Sequence, residues 1–165
     1  MIGRRYIALA FLAAGGLGGC GFTPLYATSG VAPGLTHIQV VAPEGRVGYL
    51  LREDLDDELG KDKDGAPAWR LDLQYNEVRL ARGLTVAGFA QRYELNLRVT
   101  YTLTELESGK IAHSGSVISI VSYDSTTQPY AGIAARQYTQ ERTASDAARK
   151  IQLDLAAWMA RRPKG

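Results

Sequence analysis

One cysteine, Cys20, and two histidines, His37 and His113, are all this 165-residue chain offers of the side chains that most often ligate metals or act as soft nucleophiles. A lone thiol excludes an internal disulfide, and neither histidine has metal-ligand spacing to Cys20, to the other histidine or to a carboxylate. No Gly-x-Ser-x-Gly elbow is present, and the glycines ahead of Cys20 fall in a leader, where they cannot cradle a phosphate. Long apolar runs are missing as well: the stretch from Tyr6 breaks into Gly15 and Gly16, well short of the ~20 residues that span a bilayer. Charge of one sign is also scarce. Residues 1–19 hold Arg4 and Arg5 and no acid, so the formal net charge of +2 belongs to that leader and the remainder is neutral. A global basic field for nucleic acid is thereby excluded. His113 stands beside Ser114 and Ser116, but a hydrolase built on it would need a carboxylate and a nucleophile brought in from elsewhere. The inventory points to a protein without catalysis, metal or small-molecule cofactor.

What is present begins with two arginines, an apolar run and small residues, the layout of a secretory signal over 1–19. Leu17-Gly18-Gly19-Cys20 looks like a bacterial lipobox, in which the chain is cut before the cysteine and its sulfur takes diacylglycerol, with an N-acyl chain on the new terminus. Two or more acyl chains give stable anchoring where one is marginal. Cys20 is thus the expected lipidation site. Gly21 in place of Asp favours, by resemblance to a sorting rule of enteric bacteria, the outer membrane over the inner one, with the protein on the periplasmic side. Pro24, Ser29, Gly30, Pro33 and Gly34 read as a linker over 20–35 that breaks helix and strand alike.

Residues 36–162 then read as one domain, with a tail at 163–165. Thr36 to Ala42 alternates as a strand, and Val47, Leu50, Leu51, Leu55 and Leu59 fall on one helical face, with Gly60 as a stop. Trp69, Leu71, Leu73 and Tyr75 alternate with polar residues, and the pattern is expected to run on through Val78 and Leu80 to a turn over 81–88. Tyr93, Leu95, Leu97, Val99, Tyr101 and Leu103 line one face of a long central strand. A turn at Ser108-Gly109 leads to a strand from Ile111 to Tyr123, with Ile111 and Val117 on one face. Its run Val117-Ile118-Ser119-Ile120-Val121 suggests a bulge or burial on both sides. Ala144, Ala147, Ala148, Ile151, Leu155, Trp158 and Met159 make a helical stripe, which residues 129–143 either extend or precede as a separate turn. The expected fold is α+β: two amphipathic helices packed on one face of a four-stranded, largely antiparallel mixed sheet, in the order β-α-β-β-β-α. The other sheet face, rich in Thr, Asn, Arg and Glu, is left to water or a partner.

Cys20-Gly21-Phe22-x-Pro24-Leu25-Tyr26, followed by this order of elements and by Gln91-Arg92-Tyr93-Glu94-Leu95-x-Leu97-x-Val99, resembles the LptE family of lipopolysaccharide-assembly lipoproteins. The resemblance implies a plug in the lumen of the outer-membrane β-barrel LptD that assists its assembly and binds lipopolysaccharide on its way to the cell surface. A barrel lumen is polar, which suits an uncovered polar sheet face. Phosphates and sugar carboxylates call for arginines within reach of one another. Arg82 and Arg92, then Arg79 and Arg98, are the candidates, chosen from their place around the strand-turn-strand region. The alternative of another class is an auxiliary periplasmic lipoprotein of a lipid-trafficking ABC transporter.

Overall fold

The computed structural model describes residues 31–62, 65–84, 90–124 and 128–162. The expected signal, Cys20, most of the linker, the tip of the 81–88 turn and the tail lie outside the described residues. The first described element departs from expectation. Val31–Thr36 forms a short helix, α1, where a linker was expected to run to Leu35. Pro33 sits in the first turn, where a missing N–H costs little. Gly34 lets the backbone approach Met159, whose Sδ would stand 2.8 Å from an added Cβ, and Leu35 is buried.

Strand β1, Ile38–Val41, turns Ile38 and Val40 into the core. Pairing in parallel with the next strand, it needs a crossover, supplied by helix α2, Arg46–Glu58. Val47, Leu51, Leu55 and the capping Leu59 bury the expected stripe, and Gly60, at φ 61°, ends the helix. Strands β2 (Trp69–Leu84), β3 (Ala90–Glu105) and β4 (Ile111–Asp124) form an antiparallel meander, giving the sheet order β1-β2-β3-β4. Helix α3, Pro129–Arg161, is one unbroken element of 33 residues, so 129–143 extends the C-terminal helix. Its Ala144, Ala147, Ala148, Ile151 and Leu155 meet α2, Leu71, Leu97, Val99 and Leu103 in a single core. The architecture is the α+β arrangement expected, with α1 added at the front.

Three local readings are corrected by the register. β2 continues through Arg82 to Leu84, opposite Ala90, in place of a turn from Ala81. Val78 and Leu80 do not carry on the buried row of Trp69, Leu71 and Leu73: their even positions put them on the open face, while Glu77 and Arg79 take the helix-covered side. β4 is regular through Val117–Val121 and irregular earlier, where Leu103 pairs with His113 and Thr104 with Ile111. The extra residue, Ala112, moves Ile111 off the face shared by His113 and Val117. Ile118 and Ile120 are accordingly exposed on the open face, covered on neither side by a bulge or a second layer.

Candidate ligand-binding surface

The far end of the meander gathers the charges. Arg82 on β2 lies directly opposite Arg92 on β3, which in turn lies opposite Asp124 on β4, so one row across the open face reads Arg-Arg-Asp. Like charges directly opposed destabilise a strand pair unless each is neutralised. Here each is. Arg82 donates from Nη2 and Nε to the two oxygens of Glu94 at 3.0 and 3.3 Å, and Arg92 donates from Nε to Asp124 at 3.0 Å. The bond from Arg82 and a second from Asn96 hold the Glu94 carboxyl below its usual range, and the same bond raises the Arg82 guanidinium. Gly83, at φ 61°, lets β2 curl beside this row, and Arg82, Gly83, Arg92 and Asp124 line a shallow cavity of about 320 Å³.

The two ion pairs differ in what they resist. Asp124 is 79% exposed and meets Arg92 through one bond, the geometry of a surface pair contributing ~0–1 kcal/mol. Glu94 is 21% exposed and grips Arg82 at two points. An incoming anion therefore displaces Asp124 from Arg92 far more easily than Glu94 from Arg82.

The other two candidate arginines stand elsewhere. Arg79 is on the helix-covered face, its guanidinium 4.6 Å from the Tyr93 ring, which stacks on Tyr123. It does not join the row. Arg98 is on the open face, opposite Asn76 on one side and Ile118 on the other, and has no ion-pair or hydrogen-bond partner among the described residues. Exposed Val78, Ile118 and Ile120 lie in its own and the neighbouring row, around Asn96, whose buried Oδ1 has no hydrogen-bond partner among the described residues. Arg98 with its apolar neighbours and Arg82 with Arg92 thus form two cationic stations on one face. Sequence reasoning missed Val78 and the two isoleucines as surface residues; their position parity against Leu71 and Val99 was the available signal.

His113 does find a carboxylate. Its Nε2 is 2.6 Å from Asp154 Oδ2 on α3, the same oxygen receives the Tyr101 hydroxyl, and Trp158 stacks on the imidazole. Burial, and then the Asp154 bond, push the Tyr101 hydroxyl up. Asp154 is raised by burial but lowered more by its bonds from His113 and Tyr101. Ser114 and Ser116 point to the opposite face, being in register with Thr102 and Thr100. The constellation joins strand to helix and brings no serine to the imidazole. Among the described residues no His, Cys, Asp and Glu cluster could hold a metal, and no helix is long and apolar enough to cross a membrane.

Comparison with known proteins places the chain. The LptE family model, described as lipopolysaccharide-assembly, matches residues 35–155. A solved structure assigned as a lipoprotein of Caulobacter crescentus CB15 is 49% identical, covering 81% of this chain and 98% of its own, with a TM-score of 0.71. Rare lipoprotein B of Shewanella oneidensis, at 18% identity, TM-score 0.56 and coverage of 73% and 92%, shares the fold. So does a minor lipoprotein of Acinetobacter baumannii, at 18% identity, TM-score 0.52 and coverage of 73% and 88%. No curated protein matches.

Proposed function

The chain belongs to the LptE family of lipopolysaccharide-assembly proteins, and from that premise we propose that it is an outer-membrane lipoprotein that plugs the LptD barrel and binds lipopolysaccharide across its open sheet face. Diacylglycerol on Cys20 and an N-acyl chain moor it on the periplasmic side. Its work is binding and positioning, without a reaction. The observation that carries the ligand half is the Arg82–Arg92 row, two arginines directly opposed on neighbouring strands and lining one shallow cavity, with one exchangeable carboxylate, on the face that also exposes Val78, Ile118 and Ile120. Phosphate or sugar carboxylate exchanges with Asp124 at Arg92, while the apolar residues accept the hydrocarbon part of an amphiphile. The plug half is supported by the polar remainder of that face, Gln74, Asn76, Asn96, Thr100 and Thr102, which suits a wet barrel interior.

The test joins binding to capture. Arg82→Glu with Arg92→Glu leaves the buried core untouched and should weaken lipopolysaccharide binding by about tenfold or more, with the circular dichroism spectrum unchanged. Unaltered affinity removes the arginine assignment. Affinity purification from mild detergent should recover an outer-membrane barrel with the tethered protein. Recovery of an inner-membrane ATPase complex would replace the plug reading with the transporter one, and a soluble, unacylated product would remove the anchor.

A further inference from the structure

β4 is the last strand of the sheet, so every second residue along it turns its backbone N–H and C=O away from β3. Such edges invite another strand and are usually blunted by shortness, proline, charge or a bulge. The opposite edge, β1, is short, with four residues. β4 has 14, and from Ile111 to Tyr123 it holds no Lys, Arg, Asp, Glu or Pro. Past Ala112 its register with β3 is uninterrupted.

Among the described residues, one cation is hydrogen-bonded to the backbone of this edge. Lys150, on α3, donates 2.9 Å to the Ile118 carbonyl and 2.6 Å to Asp146 Oδ2. Asp146 is fixed in turn by the fully buried Ser119, whose hydroxyl donates 2.6 Å to the same oxygen. Burial raises the Asp146 carboxyl, but the bonds from Lys150 and Ser119 lower it more, so it remains a charged partner for the ammonium. Arg149 also bears on it.

The strand so guarded is complementary to itself. Antiparallel pairing of two β4 edges about Ser119 sets Ile118 against Ile120 of a second copy and Ser116 against Ser122 on the open face. On the helix-covered face it sets Val117 against Val121. No pair opposes like charges, and the apolar pairs are of the kind that stabilise a ladder. The same pairing needs the Ile118 carbonyl for the second copy's Ile120 N–H, and brings the two Lys150 ammonium groups together near the two-fold axis. We propose that the outer edge of β4 is a strand-pairing surface matched to a second copy of this chain, and that Lys150, held by Asp146, keeps it closed. The guard leaves a long uncharged strand single while the chain is on its own.

Sedimentation equilibrium of the purified full chain and its variants tests this. The parent and Lys150→Arg should be monomeric, and Lys150→Met should dimerise at least about tenfold more tightly than the parent. Adding Ser116→Pro, at an outward N–H where an edge strand tolerates proline, should return Lys150→Met to monomer. Should Lys150→Met fail to fold, Asp146→Asn, which frees the amine, should show the same self-association. A folded Lys150→Met or Asp146→Asn that stays monomeric overturns the proposal, as does a dimer that Ser116→Pro leaves intact or a parent already paired through β4. A variant that stays monomeric yet captures an unrelated extended peptide would overturn the self-matching.

Discussion

Gly115→Ala is a one-carbon change whose cost follows from a single cross-strand pair. Gly115 lies opposite Tyr101, and the tyrosine ring is laid over it. A Cβ at Gly115 would fall 2.3 Å from Tyr101 Oη, 2.5 Å from Cζ and 3.1 Å from Cε1. The ring must move by roughly 1 Å to restore van der Waals contact. It is 3% exposed, with Val99 and Leu103 buried on the same face, so the movement overpacks the core at about 1–3 kcal/mol. It also pulls the hydroxyl from Asp154, a bond to a charged acceptor contributing about 1.5–3 kcal/mol. Against these stands the ordinary gain of about 0.5–1 kcal/mol from replacing a strand glycine by alanine. The net expectation is a loss of about 2–5 kcal/mol, seen as a fall of about 4–20 °C in Tm by calorimetry for a chain of this size. Urea denaturation of the pair Tyr101→Leu and Tyr101→Leu/Gly115→Ala supplies the control. With the ring gone, the alanine should cost less than about 0.5 kcal/mol, a non-additivity expected only of residues in contact. Equal penalties with and without the ring, or a Gly115→Ala protein as stable as its parent, would refute this account of the packing.

Gly48→Ala should destabilise although alanine is the better helix former by ~1 kcal/mol. Its Cβ would meet the Pro43 carbonyl oxygen at 1.9 Å, a backbone contact that cannot swing aside; a raised urea midpoint would contradict the close approach of α2 to that carbonyl. Asp54 is pushed up to about 6 by burial and then by Glu53, Asp57, Glu58 and Glu141, so the folded state binds its proton more tightly than the unfolded one does at 3.8. That contribution is present below about pH 4 and lost as pH rises through about 6. Asp54→Asn should therefore stabilise by ~1 kcal/mol above pH 6, after discounting for its partial exposure, and leave stability near pH 4 unchanged. A gain equal at both pH values would rule out charge as the cause.

The sequence made the buried rows legible because each is strictly periodic: Leu95, Leu97, Val99, Tyr101 and Leu103 could not change face without exposing all five. Val78 and Leu80 misled because alternation was read as apolar content, when only position parity tells which side an apolar residue takes. Ala112 misled in the opposite way, since a bulge next to a turn leaves no mark in an apolar count. The helical reading of α1 was hidden by Pro33 and Gly34, whose usual meaning is reversed by a first-turn position and by Met159 pressing close. The sequence placed Arg82 and Arg92 around the same hairpin, but a turn expected from Ala81 hid their direct facing, which follows only once β2 runs on to Leu84. Their partners Glu94 and Asp124, the His113–Asp154 bond and the Lys150 reach to Ile118 join residues 12 to 41 apart in sequence, and only tertiary packing brings them together. The family resemblance needed none of these contacts, because it rests on the order of elements and the opening motif.

The chain enters the sheet beside Trp69 and Glu105, where Ile38 starts β1, and the paired arginines sit at the other extreme of the same strands. From Trp69 to Arg82 along β2 is about 40 Å at the usual rise of a strand. The domain is therefore a yardstick: whatever surface holds the amino terminus, the arginine-bearing tip stands off from the point of entry by more than the ~30 Å thickness of a membrane's oily interior.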